Sequence, residues 1–191
     1  LAVVALAAGC TPAVAPTGSP SVFASPTVSV TPSPTPSPSP TAVESFPPAP
    51  ASESGEIADI RAGWEAYEST MDMYYRDPDL KDDFYALSIV TTGGETSRAV
   101  GAIAKAREMN LKQRGHATFR EVVIDDPTTD ENGVRRAVVH YCSDPVRLDM
   151  VDTKTGESVP RSKTLAAQVT MELVPDGSWR ASDYASKFEP C

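Results

Sequence analysis

The chain has 191 residues, with 17 basic and 26 acidic side chains, a net charge of −9 and no basic run or stripe. An acidic chain without a basic patch argues against a nucleic-acid partner and against electrostatic docking on anionic lipid. Twelve of its 18 prolines lie between Pro12 and Pro50, so the chain divides near residue 54, and the roughly 135 residues that follow are enough for one hydrophobic core.

The first ten residues, LAVVALAAGC, are apolar and mostly small. They are too few to cross a hydrocarbon core, which needs about 20 residues, and we expect residues 1–10 to be the end of a signal peptide. The small residues lead directly into Cys10, and this junction resembles the lipobox of bacterial lipoproteins. That family favours Leu three residues before the cysteine, whereas this chain has Ala7 there and Leu6 one position earlier.

The lipobox resemblance implies a membrane anchor at Cys10. In that family the cysteine thiol receives a diacylglyceryl group and the cysteine becomes the mature N-terminus. Two acyl chains supply the two hydrophobic signals that stable anchoring requires. We therefore expect an exported protein at the outer face of the cell membrane, with the lipid bilayer as a partner. The alternative is a chance cysteine within an export signal.

Residues 11–54 are predicted to be a disordered linker rich in Pro, Ser and Thr. Its central run, TPSPTPSPSPT, alternates proline with Ser or Thr, which removes every second backbone donor and fixes φ near the polyproline value. At about 3.1 Å per residue, such a spacer reaches on the order of 100 Å when fully extended. The same composition is typical of O-glycosylated stalks, and this reading stays open beside the unmodified linker.

Three helices are predicted after the linker. Apolar residues recur at steps of three and four in GEIADIRAGWEAYESTMDMYYRDP, and Pro78 marks the end of this first helix. Its apolar stripe consists of Ile57, Ile60, Trp64, Tyr67, Met71 and Tyr74. A short second helix is predicted over Leu80–Leu87. The third is predicted over residues 95–112, with Val100, Ile103 and Ala104 facing inward.

From His116 onward the apolar period changes to two, which indicates strands. The predicted strands are ATFREVVI, VRRAVVHYC, PVRLDMV, TLAAQVTMELV and SWRASDY. The segments between them, such as TKTGES and PDG, carry the chemistry of hairpin turns. Helices followed by an antiparallel run of strands indicate an α+β domain over residues 55–191, with three N-terminal helices packed on a curved antiparallel sheet.

This arrangement resembles the nuclear transport factor 2-like cone, also called SnoaL-like, which occurs in many secreted actinobacterial lipoproteins. The stretches that carry the resemblance are VVHYCSD, VDTKTGESVP and VTMELVPDGSWRASDY. None of them is a catalytic signature. The resemblance implies a cone-like domain whose helices cover the apolar face of the sheet.

The cysteine count fits an exported protein. If Cys10 is lipidated, Cys142 and Cys191 remain as an even pair in a compartment where disulfides persist. Closing a loop of about 50 residues would stabilise the domain by roughly 4 kcal/mol on the chain-entropy model. Two free thiols are the alternative. No Cys or His partner lies at ligand spacing, so neither a metal nor a cofactor is predicted.

Candidate cavity residues follow from the resemblance. Members of the superfamily include isomerases and dehydratases that place an Asp, His or Tyr inside the cone. The residues of these types near the expected sheet are His140, Tyr141, Asp144, Asp183 and Tyr184. Of these, we take His140, Tyr141 and Asp183 as the candidate polar residues of the cavity. On a strand, His140 shares one face with Val138 and Cys142, and Tyr141 lies on the other. A lone histidine is more often structural than a general base, and no nucleophile motif such as G-x-S-x-G occurs. No catalytic residue is therefore predicted.

The leading functional interpretation is a non-catalytic binding or accessory module at the cell envelope, whose partner is an unknown small molecule or an envelope protein. One alternative is a small-molecule enzyme of the ketosteroid-isomerase or dehydratase type that uses the cone cavity. Another is a structural envelope protein. An open cavity containing a carboxylate and His140 would favour the enzyme, whereas a cavity filled by Trp64, Tyr67 and Phe119 would favour the other two.

In a bacterial host, Cys10→Ala should release the protein from the membrane fraction or leave it as an unprocessed precursor, because the acylated thiol is lost. Cell fractionation measures this. The intact mass of the wild-type N-terminal peptide should include a diacylglyceryl adduct, and an unmodified mature N-terminus elsewhere in residues 1–20 would contradict the anchor.

Overall fold

A computed structural model describes residues 44–53, 55–80, 83–159, 164–189 and 191, all within the unit Thr41–Cys191. The helices are α1 (Gly55–Arg76), α2 (Tyr85–Val90) and α3 (Gly93–Glu108). The strands are β1 (Leu111–Gly115), β2 (Thr118–Ile124), β3 (Thr128–Thr129), β4 (Arg135–Asp144), β5 (Leu148–Asp152), β6 (Ser158–Val159), β7 (Leu165–Leu173) and β8 (Trp179–Lys187). Predicted residues Cys10 and 11–43 lie outside this described part.

The first helix, α1, buries the predicted stripe. Five of its six members are buried, and Ile57 at the start is partly buried. The helix contacts β7 and β8 of the sheet, so its apolar face covers the apolar face of the strands. None of the described helices is both long and apolar enough to cross a membrane.

The third helix is shorter than predicted. It ends at Glu108, and Asn110 then adopts a left-handed φ of 58°, a conformation that Asn tolerates at helix ends. The chain turns there into β1, a strand that was not predicted because the helical pattern continues to residue 112. Ala99 and Ile103 are buried as the stripe of this helix, but Ala104 is exposed, which contradicts its predicted inward position.

The strands form two antiparallel sheets. The larger has the order β2-β4-β7-β8, with β3 also paired to β4, and the smaller has the order β1-β5-β6. The five predicted strands correspond to β2, β4, β5, β7 and β8, whereas the short strands β3 and β6 were not predicted. The expected fold class, α+β with three N-terminal helices on a curved antiparallel sheet, is confirmed.

Two bulges interrupt the larger sheet. The pairing of β2 with β4 shifts between Arg120 and Val123, where Glu121 has a left-handed φ of 56°. The pairing of β7 with β8 shifts between Thr170 and Met171, and Ser182 is the extra residue of β8. A bulge bends its strand and increases its twist, so these irregularities curve the sheet around α1 and reverse the side-chain alternation beyond them.

The packed structure begins before the predicted boundary at residue 55. Phe46 stacks on Phe119 with ring centroids 5.0 Å apart and meets Trp64 edge to face at 5.4 Å. The backbone N–H of Phe119 donates to the carbonyl of Ser45 at 2.8 Å. Burying an aromatic ring is strongly favourable, and this ring holds the last part of the proline-rich segment on the domain.

A disulfide joins Cys142 in β4 to Cys191, with the two Cα atoms 5.8 Å apart. This is the pairing that the cysteine count predicted. Arg120 donates to the Cys191 carbonyl as well. The chain's last residue is thereby attached to the middle of the larger sheet.

Gly63→Ala should lower the free energy of unfolding by about 1–3 kcal/mol, a typical cost of overpacking. A Cβ at Gly63 would lie 2.5 Å from the carbonyl oxygen of Trp179, so α1 would have to move away from β8. Gly101→Ala in α3 is the matched control, since its Cβ would meet nothing within 4 Å. There the better helix propensity should stabilise the protein by up to about 1 kcal/mol. Urea unfolding measures both, and equal effects would contradict the close approach.

Candidate functional site

A cavity of about 400 Å³ lies between the helices and the concave face of the larger sheet. Volumes in this range are typical of small-molecule sites. Its wall combines aromatic rings with charged groups from α1, α3, β4 and β8. The residues that define its chemistry are Tyr67, Glu68, Arg98, Phe119, Tyr141 and Tyr184.

An ion pair with a buried carboxylate supports one part of the cavity wall. Glu95 of α3 is 1 % exposed and accepts two hydrogen bonds from Arg98, both 2.6 Å long. The Tyr67 hydroxyl donates to Glu95 at 2.7 Å and accepts from Arg98 at 2.9 Å. The Arg98 guanidinium also lies 4.3 Å from the ring centroid of Tyr184. Each buried polar group of the cluster therefore has partners, as burial requires.

A second carboxyl group, Glu68, lines the cavity and is only partly buried. It accepts a hydrogen bond from the Tyr141 hydroxyl. Burial raises the pKa of Glu68 to about 7, although the Tyr141 hydrogen bond and the charge of Arg98 act in the opposite direction. Burial also raises the pKa of Tyr141 well above its usual value, so the phenol remains a proton donor at neutral pH.

A third carboxyl group, Asp72, lies at the more exposed end of the cavity. It forms an ion pair with Arg76 at 2.8 Å and a hydrogen bond with Nδ1 of His116 at 3.1 Å. The side-chain amide of Gln113 donates to its other oxygen. Asp72 is therefore held from three directions.

Aromatic rings form another part of the cavity wall. Phe46 and Phe119 both line the cavity and stack on one another. Phe119 meets Tyr141 edge to face, with centroids 5.6 Å apart. Behind them, Trp64 is fully buried against Phe119 and Tyr141. Trp64 supports the wall, and the space beyond Tyr67 and Phe119 stays open.

Of the three predicted cavity residues, Tyr141 alone lies in this wall. His140 shares a strand with it but points to the outer face, where its Nε2 lies 3.0 Å from Oδ2 of Asp125. The predicted face pairing along β4 was right. The buried inner face is the one with Val139 and Tyr141, whereas Cys142 is buried from the other side by its disulfide.

Asp183 does not line the cavity as predicted, because β8 contains a bulge. Trp179 and Ala181 are buried, and strict alternation would place Asp183 on the same face. The extra residue at Ser182 reverses the alternation, so Asp183 is exposed and Tyr184 lines the cavity instead.

Glu68 and Arg98 were not predicted as site residues. One signal was present for Glu68: it lies four residues after Trp64 and three before Met71, and so on the apolar stripe of α1. A charged residue at such a position needs either a partner or a cavity. No comparable signal marks Arg98, whose role depends on the packing of α3 against β8.

The site offers hydrogen bonding and proton transfer. Among the described residues, no group of three or more His, Cys, Asp or Glu side chains is placed to hold a metal ion. A carboxyl group that titrates near neutrality can either donate or accept a proton. The aromatic wall offers contact area to an apolar or planar molecule.

The chain matches no protein-family model, and no curated protein matches its sequence. Among solved structures, it is similar to a ketosteroid isomerase-like protein from Erwinia carotovora atroseptica, with 17% identity, 71% of this chain and 98% of that chain covered, and a TM-score of 0.49. For the intermembrane space region of chloroplast protein ARC6 the identity is 12%, the match covers 72% of this chain and 98% of that chain, and the TM-score is 0.46. For ActVI-ORFA from Streptomyces coelicolor the identity is 9%, the match covers 71% of this chain and 98% of that chain, and the TM-score is 0.43.

The raised pKa of Glu68 predicts a specific pH dependence of stability. An unfolded glutamate loses its proton near 4.5, whereas folded Glu68 keeps it up to about 7. Between these values the folded state binds more protons, so the free energy of unfolding should fall as the pH rises through this window. Glu68→Gln should remove this loss, which amounts to at most about 3 kcal/mol.

Urea unfolding of both proteins across the window measures the difference. The variant should become the more stable of the two only toward the upper end. A constant difference between the two proteins at all pH values would mean that Glu68 titrates normally.

Proposed function

We propose that this protein is a lipid-anchored binding module that holds a small molecule at the outer face of the cell membrane. The observation that carries the binding part is the open cavity of about 400 Å³, which is lined by aromatic rings and by the Glu68 carboxyl group. Protein interiors are normally filled by side chains. A space of this size between polar and aromatic groups is therefore better explained by a ligand than by the needs of folding.

The anchor and the location rest on different observations. The sequence LAAGC precedes the proline-rich segment, and that order suits a domain held away from a bilayer by a stiff spacer. The disulfide between Cys142 and Cys191 suits an oxidising compartment outside the cytoplasm. Both observations support an exported protein.

A second candidate function is an enzyme of the isomerase or dehydratase type. Glu68 favours it, because a carboxyl group with a pKa of about 7 suits general acid–base catalysis near neutral pH. Tyr141 donates to that carboxyl group, whereas His140 lies outside the cavity. Turnover of isomerase or dehydratase substrates that is lost in Glu68→Gln would decide for the enzyme.

The binding proposal predicts that the purified full chain binds N-phenyl-1-naphthylamine, a neutral probe whose fluorescence increases in apolar surroundings. Ala117 lines the cavity, so Ala117→Trp should fill the space and weaken binding at least about tenfold. Fluorescence titration measures the affinity.

Val146→Trp is the matched control, since Val146 is 84 % exposed and does not line the cavity. This variant should bind as the wild type does. Leu165 also lines the cavity. If the circular dichroism spectrum shows that Ala117→Trp does not fold, Leu165→Trp repeats the test. Equal binding by all folded variants would place the probe elsewhere, and no binding by any of them would favour the structural envelope protein.

A further inference from the structure

The cations of the cavity wall all have carboxylate partners. Arg98 is paired with Glu95, and Arg76 is paired with Asp72. Glu68 differs: among the described residues, no basic side chain lies within ion-pair distance of it, and it accepts a hydrogen bond from the neutral Tyr141 hydroxyl. A carboxylate has about four acceptor positions, so Glu68 retains capacity on its cavity side.

The charge balance of the wall is therefore negative when Glu68 is ionised. Asp72 and the buried Glu95 balance the charges of Arg76 and Arg98, so an ionised Glu68 leaves one negative charge in excess. The whole chain, with a net charge of −9, adds a field of the same sign. An anionic ligand would be repelled here, whereas a cationic ligand would give the Glu68 carboxylate the positively charged partner that it lacks.

The surroundings of Glu68 suit an organic cation better than a metal ion. Six aromatic residues line the same cavity: Phe46, Tyr67, Tyr75, Phe119, Tyr141 and Tyr184. Ring faces attract cations, and alkyl groups on nitrogen gain apolar contacts with them. Arg98 already lies over the ring of Tyr184, so this wall holds one cation of its own in that manner.

We propose that the cavity binds a substituted ammonium group, with its positive charge against the Glu68 carboxylate and its alkyl groups against the aromatic wall. This inference rests on the proposed binding function and names the class of ligand. The raised pKa of Glu68 supports it, because a nearby cation stabilises the ionised carboxyl group and would reverse the effect of burial.

The test compares choline with 3,3-dimethylbutan-1-ol, which has the same shape and hydroxyl group but a neutral carbon in place of nitrogen. Both are titrated into the ¹⁵N-labelled full chain near pH 8, and the amide shifts of cavity residues are followed by NMR. Choline should bind at least about tenfold more tightly than its neutral analogue. The largest shifts should lie around Glu68 and Tyr141.

Glu68→Gln should reduce this preference for the cation, measured as the ratio of the two affinities, several-fold. Glu65→Gln is the matched control. Glu65 lies on the same helix, is also partly buried and carries a pKa raised by burial, but it does not line the cavity. This variant should keep the wild-type preference, which separates a local role of Glu68 from a general loss of negative charge.

The preference should also fall between about pH 8 and pH 6, as Glu68 takes up its proton. The other titratable or charged groups that face it or line the same cavity are Tyr67, Asp72, Tyr75, Arg76, Glu95, Arg98, His116, Tyr141 and Tyr184. Glu68→Gln isolates the part due to Glu68, because the contributions of all the other groups persist in that variant.

Equal affinity for both probes, or tighter binding of the neutral one, would overturn the inference and leave the cavity a site for neutral molecules. Choline shifts confined to residues outside the cavity would overturn it as well. The absence of cavity shifts with both probes would have the same consequence, and the naphthylamine titration would then decide separately whether the cavity binds anything.

Discussion

The buried carboxylate of Glu95 is the constraint on which the arrangement of the helices and the cavity depends. At 1 % exposure, an unpaired charge would cost several kcal/mol. Its partners come from α1 and α3, since Tyr67 and Arg98 both bond to it. Because Arg98 also stacks on Tyr184 of β8, satisfying this one charge fixes two helices and a strand relative to one another. These elements carry much of the cavity wall.

The general architecture was predictable because it depends on periodicity. The apolar stripe of α1 recurs at helical spacing, and the later strands alternate with a period of two, so the layers of an α+β domain follow. The disulfide partners followed from the cysteine count. What periodicity could not indicate was β1, since Leu111 continues the helical pattern and the left-handed conformation of Asn110 is a local backbone choice.

The candidate site was harder to predict, because it depends on where the alternation of side chains along a strand is interrupted. Asp183 would face the cavity if β8 were regular, and the bulge at Ser182 places Tyr184 there instead. A bulge has no reliable sequence signature. The strand pattern separated His140 from Tyr141 but did not show which of the two faces was inner. Cys142, on the same face as His140, is bonded to Cys191, so its burial did not mark the inner face. Glu68, on the stripe of α1, was the residue whose chemistry the sequence could have disclosed.

The position of Phe46 connects the cavity to the segment that leads to the proposed anchor. Its ring is part of the cavity wall and stacks on Phe119. A ligand that contacts Phe46 favours the state in which this ring is docked, and by thermodynamic reciprocity the docked ring raises the affinity for that ligand to the same degree. In this domain the end of the proline-rich segment therefore belongs to the cavity wall, so a change at Phe46 changes the cavity as well.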